Sequence, residues 1–105
     1  MKAIINGKRY NTQAPNTIAV AEHSSGGSRN DFQYYKEALF RTGKGSWFLA
    51  GEGHGMTKYA GHYGNMSGWG SSIIPLSKDD ALAWLERNNE FDAIEKYFAS
   101  QVCDA

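Results

Sequence analysis

The feature that most constrains this chain is a change of period at Ser77. Before it, apolar residues come in short runs broken by Asn-Gly, Gly-Gly and Gly-x-Gly; after it, they recur at helical spacing. Strand-like runs followed by two helices predict an α+β fold. The segment Lys78–Arg87 sets Ala81, Leu82, Trp84 and Leu85 on one broad face, and Ser77 followed by Asp80 resembles a capping box. Asn88-Asn89 interrupts the pattern. A second helix over about 90–100 carries Phe91, Ile94, Tyr97 and Phe98 as its apolar side.

Upstream, Lys2–Ile5 and Lys8–Asn11 flank Asn6-Gly7, the strongest local hairpin signal, because both central residues of a type I′ turn need positive φ. Thr12 as a cap, Pro15 in a first turn and Ile18, Ala19 and Ala21 predict a short helix over about 14–22. It ends in the Ser/Gly loop 24–28. Residues 32–42 are rich in aromatics and read as a strand, Gly43–Ser46 as a turn, and Trp47–Ala50 as the returning strand. Tyr35 and Leu39 fall out of the main alternation, which implies cover on both sheet faces. Ile73–Leu76 is a short strand whose Pro75 suits an edge. The expected architecture is a small antiparallel sheet built from two hairpins plus a short strand, packed with two C-terminal helices and one short N-terminal helix. With 105 residues the chain can build one core, so residues 1–105 are expected to form a single domain.

Between the last two strands lies the most unusual stretch, 51–72. It holds seven of the twelve glycines, with His54, Tyr59, His62, Tyr63 and Trp69 among them. So long a connection without a clear period is usually functional. Fourteen aromatics exceed what one small core buries, and Tyr59, Tyr63 and Trp69 are the candidates to anchor a protein partner. A buried charged cluster beneath the stretch would remove that reading. Gly-x-Gly-x-Gly at 51–55 lacks the strand-to-helix context of a nucleotide loop, so its glycines are expected to serve positive φ or close backbone approach.

Charge divides along the chain. Residues 1–76 carry eight bases and four acids, a net +4, whereas residues 77–105 carry three bases and seven acids, a net −4. Asp79, Asp80, Glu86 and Glu90 form a candidate acidic patch for a basic partner surface. Lys8, Arg9, Arg41 and Lys44 on the two hairpins are the alternative, a nucleic-acid contact with Tyr10 and Trp47 as stacking partners. No metal-ligand spacing links His23, His54, His62 and Cys103, and no Ser or Cys sits in a nucleophile motif, so neither metal, cofactor nor catalysis is expected. One cysteine and no long apolar run suit a cytoplasmic protein.

Three blocks carry a resemblance: LFRTGKGSWFLAGEGHGMTKYA (39–60), GNMSG (64–68), and IIPLSKDDALAWLERN with IEKYF (73–98). They resemble small accessory proteins of phages, plasmids and other bacterial mobile elements. The resemblance implies a non-enzymatic, anti-CRISPR type of inhibitor that binds a bacterial defence (CRISPR-Cas) complex and blocks its nucleic-acid access. A small nucleic-acid-binding regulator is the competing expectation.

Overall fold

Both hairpins foreseen in the sequence form, and the helix foreseen after the first of them does not. The computed structural model describes residues 1–26, 33–55, 57–63 and 66–105, with the side chains of 62, 63, 66 and 67 outside that description. Strands β1 (Lys2–Ile5) and β2 (Lys8–Asn11) pair antiparallel around Asn6 and Gly7, whose φ values of 52° and 78° give the type I′ turn its two left-handed residues.

Where the sequence predicts a helix over 14–22, the chain turns and then extends as β3 (Ile18–Ser25). Asn11 Oδ1 accepts from the Gln13 N–H at 2.9 Å, and the Thr17 N–H reaches the Ala14 carbonyl at 3.0 Å. These turns occupy the backbone groups a helix would need. The β-branched Ile18 and Val20 then suit pairing with β4 (Tyr35–Arg41). Ala19 pairs with Phe40 and Ala21 with Leu39, so Val20 is the extra residue of a bulge. The bulge lets Val20 and Ala21 both pack on the helix-side core.

Strand β5 (Trp47–Gly53) continues the meander, and β8 (Gly70–Leu76) closes it, giving the antiparallel order β3-β4-β5-β8. Between them β6 (Gly61–Tyr63) and β7 (Met66–Gly68) pair as a separate ribbon. The stretch expected to be irregular is therefore largely strand. Pro75 sits on the outer strand β8, the place in a sheet where a missing N–H is tolerated.

Both sheet faces are covered, as the misfit of Tyr35 and Leu39 implied. On one face Leu39, Trp47 and Leu49 pack against Ala81, Trp84 and Leu85 of α1 (Lys78–Arg87), and Ala93 and Ile94 of α2 (Phe91–Tyr97), with Phe98 just past its end. On the other, Phe48, Ala50 and Ile73 meet Tyr10, Ala3 and Ile5 of the first hairpin. Alternation along β5 explains the split: Trp47 and Leu49 point one way, Phe48 and Ala50 the other. Each fully buried large side chain contributes about 1.5–3 kcal/mol. At the head of α1 the Ser77 hydroxyl oxygen accepts from the Asp80 N–H at 3.1 Å, completing half of the capping box. Among the described residues, no helix is long and apolar enough to cross a membrane.

Candidate functional site

The helix face of the sheet changes character halfway along β5. After Trp47 and Leu49 the same row continues as Gly51 and Gly53, and β8 sets Ser72 and Gly70 opposite them. A Cβ on Gly51 would stand 2.6 Å from the Lys36 carbonyl oxygen and 2.7 Å from Tyr59 Cζ; one on Gly70 would strike the Tyr59 carbonyl oxygen. Neither glycine has positive φ, so close approach, not left-handed backbone, requires them.

His54, Gly55 and residues 57–60 lie on this floor in successive turns. Thr57 Oγ1 donates to the His54 carbonyl at 2.7 Å, and the Ala60 N–H donates to the Thr57 carbonyl at 3.1 Å. Tyr59, expected as a surface anchor, is only 2% exposed. Its hydroxyl donates to Glu37 Oε1 at 2.7 Å, Lys58 Nζ lies 2.6 Å from the same oxygen, and the Trp84 indole N–H donates to Oε2 at 2.5 Å. Glu37, 4% exposed, is thus a buried carboxylate with three donors from two other elements.

Burial alone would push the Glu37 carboxyl up. Hydrogen bonds from Lys58, Trp84 and Tyr59, together with the Lys58 charge, outweigh it and hold the group below the usual carboxylate range. Burial and the facing carboxylate push the Tyr59 phenol well above its ordinary value. A carboxylate held that low is a poor base near neutral pH. The cluster ties Lys58 and Tyr59 to β4 and α1. It is also the buried charged cluster that removes docking through stretch 51–72, and Tyr59 is withdrawn as an anchor.

The remaining residues singled out from the sequence divide as follows. Trp69 is half-buried, stacked on Tyr34 at 6.2 Å with 15° between planes and edge-on to His54 at 4.7 Å. Tyr63 belongs to β6, and its side chain lies outside the described residues. Asp79, Asp80 and Glu86 are exposed on α1. Glu90, at the head of α2, is half-buried with Oε1 2.7 Å from His23 Nε2, and the His23 ring stands edge-on to Trp84 at 5.3 Å.

Helix α2 supplies a residue that sequence reasoning placed on the wrong face. Phe91, expected in the core, is 66% exposed. The buried stripe is Ala93, Ile94 and Phe98, with Tyr97 partly covered. Phe91 shares the outer face with Asp92 and, one turn on, Glu95, both exposed. Only the small Ala93 on the opposite face hinted at this.

The basic residues also part company. Arg41 is half-buried with its guanidinium 5.8 Å from the Trp47 ring centre and 5.6 Å from that of Tyr97. Tyr10 and Trp47 are 6% and 4% exposed, so both belong to the core and neither offers a stacking surface. Lys8, Arg9 and Lys44, by contrast, line one groove between the first hairpin and the β4–β5 turn.

Among the described residues no group of three His, Cys, Asp or Glu side chains is placed to hold a metal ion, and Cys103 is exposed. Compared with protein-family models, with curated proteins and with solved structures, the chain matches none. Its function must be argued from its own surfaces.

Proposed function

We propose that this chain is a non-enzymatic binding protein that presents the outer face of α1 and α2 to a basic surface of a protein partner. The single observation that carries the reading is Phe91, two-thirds exposed on a helix whose other side is packed into the core. A large ring beside Asp92 and Glu95 has the composition of an interface anchor with a charged rim. Asp79 and Glu86 lie near one another on the outer side of α1 by helical spacing and extend the acidic field; Asp80 adds to it from the first turn. Glu90 is largely committed to His23 and supports α2 rather than the rim.

Acidic complementarity favours a partner whose exposed surface normally meets nucleic acid. The resemblance to mobile-element accessory proteins suggests a bacterial defence complex, in which such docking would block nucleic-acid access in the anti-CRISPR manner.

Affinity capture from bacterial extract with the tagged protein tests this. The expected result is a nucleic-acid-binding protein that is retained by the wild type, released by added nucleic acid, and lost with Phe91→Ala or Glu95→Lys. Capture that is indifferent to both substitutions removes the reading.

A further inference from the structure

We infer that the groove between the β1–β2 hairpin and the β4–β5 turn binds the phosphate backbone of nucleic acid without reading its sequence. The groove encloses about 930 Å³ and is lined by Lys8 and Arg9 from β2, Lys44 from the β4–β5 turn, and Asn11, Asn16 and Thr42 among its polar residues; no carboxylate lines it. Residues far apart in the chain thus bring three cations to one concavity.

What the cations do not do is informative. Lys36 is matched to Glu52 at 3.3 Å, Lys58 to Glu37, and Arg41 is laid over rings. Among the described residues no carboxylate pairs with Lys8, Arg9 or Lys44, although their positive field would attract one.

The polar lining is biased in the same direction. Asn11 Oδ1 accepts from the Gln13 N–H at 2.9 Å, and Thr42 Oγ1 accepts from the Ser46 N–H at 3.1 Å. One lone pair of each oxygen is used inside the protein, and the Asn11 amide NH₂ and the Thr42 O–H are there to donate. A surface of donors and cations fits phosphate oxygens.

The floor is set before any ligand arrives. A Cβ on Gly43 would stand 2.6 Å from Asn16 Cβ, so the 13–17 turn packs directly on the β4–β5 turn. Tyr10 lines the groove but is only 6% exposed, too little to offer a ring face to a base, and the recognition that remains is of the backbone. The site belongs to the hairpin layer, with the sheet between it and Phe91, so it stands or falls apart from the docking reading.

The test is fluorescence anisotropy with labelled oligothymidylate and a labelled duplex over a salt series. Three phosphate contacts predict log K falling against log salt with a slope of about −2 for the single strand and about −2.7 for the duplex. Lys8→Ala and Lys44→Ala are each expected to make the slope shallower by about 0.7–0.9, and Lys78→Ala on α1 to leave it unchanged. All three positions are exposed, and circular dichroism checks that the variants stay folded. Absence of binding at low salt, or slopes that ignore Lys8 and Lys44, overturns the inference. So does equal competition by polyglutamate, which would make the groove a general polyanion surface.

Discussion

The Tyr59 hydroxyl meets the Glu37 carboxylate at 2.7 Å inside the protein, 22 residues away in the chain, and so fixes a segment whose sequence reads as an exposed loop. Trp84 and Lys58 complete the coordination of that carboxylate. The arrangement needs the ring of Tyr59 to come close over the sheet at Gly51, where a Cβ would stand 2.7 Å from Tyr59 Cζ.

Acid should loosen this joint. Glu37 is held below the ordinary 4.5, so the folded state binds its proton less readily than the unfolded chain does. The stability it contributes is complete above the unfolded value and is lost as pH falls through the lower folded one. Glu37→Gln should cost about 3 kcal/mol at neutral pH, since it replaces a charge matched to three donors. Urea melts across the acid range should show the variant with a flatter acid limb than the wild type; parallel limbs would mean another group dominates.

Gly51→Ala tests the floor. The added Cβ meets backbone and ring atoms at 2.6 and 2.7 Å, neither of which can swing aside as a flexible side-chain end would. A loss of about 2–3 kcal/mol is expected in thermal or urea unfolding. Gly7→Ala differs in kind: nothing lies within 4 Å of its Cβ, so only the strain of φ 78° opposes it, at about 1 kcal/mol.

These positions also show what could be read ahead of the structure. Asn6-Gly7 and Ser77 with Asp80 are local signals, and each formed as local chemistry dictates. The helix expected over 14–22 failed because β4 offered Ile18–Ser25 a pairing edge that no local rule weighs. The glycines at 51 and 53 do keep a period of two, the mark of a strand, but their purpose depends on Tyr59 arriving from above. Phe91 misled because an aromatic at helical spacing looks like core, and only packing decides which side of so short a helix turns inward. Of the candidate site, the acidic and basic residues were visible as charges, while the separation of Arg41 from Lys44 required the fold.

Two aromatic substitutions should separate surface from support. Phe91→Ala removes a ring that is 66% exposed and should change stability by no more than about 0.5 kcal/mol. Trp69→Ala removes the stack on Tyr34 and the edge contact with His54, and should cost about 1–2 kcal/mol. Differential scanning calorimetry of both variants checks the order. An equal or larger loss at Phe91 would place that ring in the core.

Tyr59→Phe isolates one donor of the three. The ring still fills its place on the glycine floor, so the change removes a hydrogen bond to a charged acceptor and little else. The expected cost is about 1.5–3 kcal/mol, the range for bonds to charged groups. Because the Tyr59 hydroxyl is one of the contacts lowering the Glu37 carboxyl, the acid limb of the variant should start at the same pH as that of the wild type but level off at a higher pH, with a smaller total loss. Combining it with Glu37→Gln closes a double-mutant cycle. If Tyr59 acts through the carboxylate, the two losses will not add, and the acid limb of the double variant will match that of Glu37→Gln alone. Additive losses with an unshifted limb would show that the phenol and the carboxylate act separately.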